Sequence, residues 1–192
     1  MKHLLVDVKC NSAQIKEKAL IELKNVCCQC KACELAKTRT SVVFSDGSAD
    51  AKIMLIGEAP GADEDASGTP FVGRAGQLLN KFLEEAGIDR KTQLYICNTI
   101  KCRPPQNRVP SKEEKLACQG YLMGQISIVK PKIILLCGAT AVQSFVEQDF
   151  KISLIRGKWL NIFDDIEVMA IFHPSYLLRN HSTEQGLSLI HI

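Results

Sequence analysis

Two things are missing from this sequence, and each absence narrows what the chain is. No run among its 192 residues is long and apolar enough to cross a membrane, and the opening MKHLLVDVKC has too short an apolar stretch for a secretory signal. A strong charge excess is missing as well. The 24 Lys and Arg against 21 Asp and Glu leave a net charge of +3. That permits nucleic-acid binding without arguing for it, unless cations gather on one face. With 46% apolar and 23% charged residues, the composition is that of an ordinary globular protein, expected to be cytoplasmic and monomeric. The length suits one domain with a sizeable core, set at residues 1–186.

Cysteine, by contrast, is plentiful. Nine occur, and disulfides are a poor explanation for them in a reducing compartment. Cys27, Cys30 and Cys33 form two overlapping C-x-x-C pairs, with Cys28 between them and Cys102 and Cys118 far downstream. Thiolates three apart grip one centre, and four hold either a [4Fe–4S] cluster or a zinc ion. Spacing alone does not choose between the first pair and the second. Cys97 and Cys137 lie inside apolar runs and read as small buried residues.

Four apolar runs alternate with helical patterns: residues 52–57, 94–99, 133–138 and 168–172. Such alternation predicts an α/β fold with a mainly parallel, four-stranded sheet covered on both faces. Residues 12–26 read as an amphipathic helix with Ile15, Ala19, Leu20 and Leu23 on one face. GRAGQLLNKFLEEAG reads as another, with Leu79 and Leu83 inward and Gly87 as its stop. Ser111 opens a third through the capping-box pattern S-K-E-E, and a fourth runs from Ala139 to about Val146. A small hairpin around Arg156 and Gly157 is expected between residues 152 and 166.

In sheets of this kind ligands bind beyond the carboxyl ends of the strands. After the first strand comes GEAPGADEDASGTPFVG, a glycine-rich loop before a helix. That arrangement usually suits phosphate. Glu58, Asp63, Glu64 and Asp65 repel phosphate, so the loop serves something else. The second strand ends at Asn98 and runs into KCRPPQNR; the fourth runs into HPSYLLRN. A carboxylate, an amide and an imidazole thus fall at the same end of the sheet, which marks a candidate site.

GEAPGADEDASGTPFVGRAGQLL, NTIKCRPPQNRVP and FHPSYLLRN together resemble the family-four uracil-DNA glycosylases, the bacterial and archaeal type with an iron–sulfur cluster. The resemblance extends from about Cys30 to Asn180. It implies a three-layer α/β/α fold and the hydrolytic removal of uracil from DNA, single- or double-stranded. It also implies a [4Fe–4S] cluster held by Cys30, Cys33, Cys102 and Cys118, because the family's cysteine pair precedes a stretch like ELAKTRT. Cys10, Cys27 and Cys28 then have no role, and zinc is the alternative occupant of the same thiols. Members usually continue past the histidine motif with a further helix. The closing LSLIHI resembles no family ending, so residues 187–192 read as a cloning or sequencing scar.

The resemblance also assigns roles. Phe71 stacks on the flipped uracil, Asn98 reads its edge, and Gly57 and Ala59 let backbone approach it. His173 stabilises the charge that builds on the leaving base. Glu58 leads as the carboxylate facing the sugar, with Glu64 as the alternative for water activation. Many uracil glycosylases carry Asp or Asn where this sequence has Ala59, so unassisted attack on the cation is a third option. Lys101, Arg103, Arg108, Ser175 and Arg179 are the expected phosphate contacts, and Tyr176, Leu177 and Leu178 the expected wedge. The competing readings are a broader deaminated-base glycosylase and a non-catalytic cluster protein that binds nucleic acid.

Overall fold

The computed structural model describes residues 12–146 and 151–179. Its strands are β1 (Asp46–Gly47), β2 (Ile53–Gly57), β3 (Leu94–Asn98), β4 (Ile133–Cys137), β5 (Trp159–Leu160) and β6 (Glu167–Ile171). They form one sheet in the order β1-β3-β2-β4-β6-β5. The four strands expected from the apolar runs are its parallel centre. Two short antiparallel edge strands, β1 and β5, extend the expected four-stranded sheet to six. Each is two residues long; β1 had no pattern to announce it, while β5 falls inside the stretch expected to form a hairpin.

Helices cover both faces, as expected. They are α1 (Ser12–Cys28), α2 (Ala62–Ser67), α3 (Arg74–Glu85), α4 (Lys112–Val129), α5 (Ala139–Gln143), α6 (Ile152–Ile155) and α7 (Pro174–Arg179). Alternate strand residues feed two cores. Met54, Ile56, Ile134 and Leu136 join Leu20 and Cys27 of α1 and Leu122 and Ile126 of α4. Leu55, Ile96, Met169 and Ile171 join Leu79 and Leu83 of α3 on the other face. The period-two alternation of strands thus separates the layers. On α1 the buried edge runs through Leu20 and Cys27, while Ile15 is exposed, contrary to the expected stripe.

Local signals explain the helix ends. Ser111 Oγ accepts the Glu114 N–H at 3.2 Å, and Glu114 Oε2 accepts the Ser111 N–H at 2.8 Å. This is a complete capping box, worth about 1 kcal/mol. Gly87 stops α3 at φ +68°, with the Ile88 N–H bonded to Leu83 O and the Gly87 N–H to Glu84 O, a Schellman ending. Two expectations are corrected. α5 ends at Gln143 rather than near Val146. The expected hairpin arm before Gly157 is the helical turn α6; Gly157, at φ +73°, instead leads into β5, which pairs with β6.

The chain leaves β2 for β3 on one side and returns past β2 to β4 on the other. The order reverses there, and a crevice opens beyond the carboxyl ends of the two strands. Among the described residues no helix is long and apolar enough to cross a membrane.

Candidate active site

A cavity of about 660 Å³ fills that crevice. All four parallel strands contribute to its wall: Glu58 beyond β2, Pro104 and Arg108 beyond β3, Gly138 beyond β4 and His173 beyond β6. Convergence therefore includes the third exit, where Gly138 carries no side chain to announce it in the sequence. Gly138 has φ +92°, and a Cβ there would stand 3.1 Å from the His173 Cβ. Glycine lets the two strand exits close on each other.

Phe71, Asn98 and Gly57 meet at one point. A Cβ placed on Gly57 would fall 2.4 Å from Asn98 Oδ1 and 2.7 Å from Phe71 Cζ. The Phe71 ring lies 5.7 Å from the His173 ring, tilted by 30°. Asn98 is 2% exposed. Its backbone carbonyl accepts from Lys101 Nζ at 2.6 Å. Its side-chain amide has no hydrogen-bond partner among the described residues. No buried side-chain N or O atom among the described residues lacks a partner, so the tip of this amide reaches solvent, where a ligand can meet it.

His173 is partly buried and anchored through one ring nitrogen. Nδ1 lies 2.8 Å from Ser175 Oγ and accepts the Ser175 N–H at 3.2 Å. Because that N–H can only donate, Nδ1 carries the lone pair, and the neutral ring places its proton on Nε2. Burial pulls the imidazole pKa down to about 4; Arg179 lowers it further, and Glu64 acts the other way. His173 is therefore neutral through the physiological range.

The sign of this shift gives a stability prediction. A histidine with a folded pKa near 4 and an ordinary unfolded pKa near 6.5 makes the unfolded chain bind the extra proton between those values. Stability is expected to fall as pH drops from about 6.5 to about 4, by up to roughly 3 kcal/mol. Denaturant melts at pH 7, 5.5 and 4 check it: His173→Gln should flatten this part of the curve.

Glu64 requires a correction. Its Oε2 accepts the Gly61 N–H at 3.0 Å, and its Oε1 accepts those of Val72 and Gly73, both at 2.9 Å. The carboxylate folds the glycine loop onto itself, so its work is to hold the loop rather than to activate water. Asp65 does similar work, accepting the N–H groups of Thr40 and Ser41. Two of the four acidic residues that seemed wrong for a phosphate loop, Glu64 and Asp65, are thus internal ties. Glu58 differs: it faces the cavity, and its carboxylate has no hydrogen-bond or ionic partner among the described residues.

The expected DNA contacts divide. Lys101 is another correction. It is wholly buried, with Nζ bonded to Asn98 O and to Gln125 Oε1, and it cannot reach a phosphate. Arg108 lines the cavity but is paired with Glu114 at 2.6 Å. Arg103 donates to Asn107 Oδ1, and exposed Arg179 stands over Ser175 at the mouth. Arg74, at the start of α3, also lines the mouth and was overlooked. Its position directly after the glycine loop was the available signal. Of the expected wedge, Leu177 packs inward against the α3-side core, and Tyr176 stacks on Phe172 at 4.7 Å.

The thiols gather next to this site. Cys102 and Cys118 are buried with Leu35 and Ile100, and Cys33 and Ala59 pack against them. Cys30 and Cys33 lie within electrostatic reach of Cys102. Arg39 Nη1 donates to Cys102 Sγ at 3.3 Å. Burial pushes the Cys118 thiol up to about 11. As placed, no three His, Cys, Asp or Glu side chains among the described residues stand in ligating geometry. Cys97 and Cys137 are fully buried in their strands, as expected. Cys27 is also buried, beside the same thiols, while Cys28 is exposed. Cys10 and residues 187–192 lie outside the described residues.

Known proteins place this geometry in a family. The model of the uracil DNA glycosylase superfamily matches residues 44–190. The chain is 48% identical to a type-4 uracil-DNA glycosylase of Thermotoga maritima over 157 residues, 81% of each chain. It is 40% identical to one from Archaeoglobus fulgidus over 156 residues, 78% of each. It is 41% identical to one from Sulfurisphaera tokodaii over 170 residues, 84% of this chain and 77% of that one. The matched residues include all four parallel strands and every wall of the cavity, and the chain belongs to the uracil-DNA glycosylase superfamily.

Proposed function

We propose that this chain, a uracil-DNA glycosylase by family, takes a flipped uracil onto the Phe71 ring and the Asn98 amide and hydrolyses its bond to deoxyribose. Free uracil and an abasic site are the products. The observation that most supports this is the Asn98 amide, which has no protein hydrogen-bond partner among the described residues and flanks Gly57 together with the Phe71 ring. The amide offers one donor and one acceptor, which match uracil O4 and N3–H; cytosine presents the reverse pattern. The Phe71 ring provides a stacking face for a base removed from the duplex.

As the glycosidic bond lengthens, negative charge builds on the base and positive charge on the sugar. The His173 Nε2–H donates to the base at O2, where its hydrogen bond strengthens as charge develops. The Glu58 carboxylate sits on the sugar side, stabilising the cation and orienting water. Arg74, Arg103 and Arg179 contact the phosphates around the mouth, and such contacts position DNA without reading its sequence.

Cys30, Cys33, Cys102 and Cys118 hold a [4Fe–4S] cluster in this reading. The donor set is soft, free of carboxylates and backed by the Arg39 cation, which suits a thiolate-bound cluster. When bound, the cluster supplies no chemistry to hydrolysis; it ties the segment after α1 to the loop after β3 and to α4. Anaerobically purified protein is expected to be brown, with iron and sulfide in equal amounts. Cys118→Ser should lose both and melt at lower temperature. Colourless protein with stoichiometric zinc overturns the cluster.

The assay for function uses oligonucleotides carrying one uracil, hypoxanthine or xanthine, single- and double-stranded. Release of uracil alone is the expected result. Release of the purines as well favours the broader glycosylase, and no release from cluster-loaded protein overturns the enzyme reading.

A further inference from the structure

Phe71 is held in a conformation that an aromatic residue does not adopt unaided. Its φ is +53°, in the left-handed region where a Cβ is disfavoured. Something must hold it there, and the constraint comes from far along the chain. Arg90, in the connection between α3 and β3, reaches back nineteen residues. Its Nη1 donates to Phe71 O at 3.0 Å and to Asn80 Oδ1 at 2.8 Å. Its Nη2 donates to Pro70 O at 2.5 Å. Its Nε donates to Asp46 Oδ2 at 2.9 Å. The Arg90 and Asp46 side chains are each only 14% exposed, so this pair is well shielded from water. Gly76 closes the trap from α3: a Cβ there would stand 1.9 Å from Phe71 O.

We propose that Arg90 is the positioning residue of the base-stacking ring. It does not line the cavity and touches no base. Its flat, forked guanidinium bonds two consecutive carbonyls, Pro70 and Phe71, and thereby fixes the turn that aims the phenyl ring at Gly57 and His173. An ammonium group lacks the fork and cannot reproduce two such bonds together with those to Asp46 and Asn80. Asp46, on the edge strand β1, and Asn80, on α3, orient the fork in turn. Three elements therefore meet to place one ring. The inference rests on the reading of Phe71 as the residue that stacks on uracil.

A double-mutant cycle tests it, with uracil release from a single-stranded uracil oligonucleotide and inhibition by free uracil as readouts. Thermal melting reports the folded state of each variant. Arg90→Lys in the native background is expected to lower kcat/KM by about tenfold or more, since small misplacements of positioning groups carry losses of that order. Inhibition by free uracil should weaken in parallel. In a Phe71→Ala background, with no ring to aim, the same Arg90→Lys change should cost less than twofold. An equal loss in both backgrounds shows a merely structural arginine and overturns the proposal. A Phe71→Ala protein with undiminished uracil release overturns the stacking reading instead, and the inference falls with it. If Arg90→Lys does not fold, Asp46→Asn is run through the same cycle. It keeps Arg90 and weakens its orienting partner, and the same non-additivity with a smaller loss is expected; additive losses overturn the proposal.

Discussion

Replacing His173 with alanine is expected to slow uracil release by roughly a hundred- to a thousand-fold, the usual loss when one donor to a developing anion is removed. The protein should remain folded. The ring is partly exposed at the cavity wall, and its removal leaves Phe71 packed among Leu79, Leu83 and Phe172. The loss should fall on kcat far more than on KM, because charge on the base exists only as the bond breaks. The geometry makes this specific. Nδ1 is tied to Ser175, the neutral ring carries its proton on Nε2, and burial holds the pKa near 4. Single-turnover release from a uracil oligonucleotide, compared with equilibrium binding of the same strand, separates the two effects. A raised KM with unchanged kcat would assign His173 to binding alone.

The second large effect is expected from two glycines that differ in what surrounds them. Gly57→Ala places a methyl 2.4 Å from Asn98 Oδ1 and 2.7 Å from Phe71 Cζ, both side-chain atoms. The methyl displaces the amide and crowds the ring, yet the backbone is untouched. Uracil release should drop about a hundredfold, with a modest fall in melting temperature as the packed side chains shift. Gly76→Ala meets backbone instead, at 1.9 Å from Phe71 O. Backbone cannot swing aside, so this variant should lose stability as well as activity, by several kcal/mol as overpacking at a rigid contact does. Melting curves beside uracil-release assays distinguish the pair. Equal melting temperatures in the two variants would show that the Phe71 turn yields more easily than its contacts indicate.

Both effects depend on where separate stretches of chain meet, and the sequence showed only some of this. Asn98 and His173 were legible because each ends an apolar run, and strand ends in parallel sheets share one edge. Glu58 was legible because a glycine-rich loop follows a strand at that edge, whereas Phe71 was singled out only through the family resemblance. Lys101 was misread for an equally physical reason. Lysine in a polar loop is ordinarily solvated, and nothing local tells that this one turns inward to Asn98 O and Gln125 Oε1. Glu64 was misread because the N–H groups of Val72 and Gly73, distant from it in sequence, donate to its carboxylate only once the loop folds back.

By itself, the sequence determined the α/β class, the four parallel strands and the helix ends at Ser111 and Gly87. Each rests on short-range periodicity or on a conformational limit of one residue type. The motifs also determined which family the chain resembles. Tertiary structure alone decided that β1 and β5 close the sheet's edges and that α6 replaces a hairpin arm. It alone decided that Glu64 and Asp65 are ties, and that Arg90 holds the Phe71 turn across nineteen residues. Such contacts depend on distances through space, and those are set only when the whole core packs.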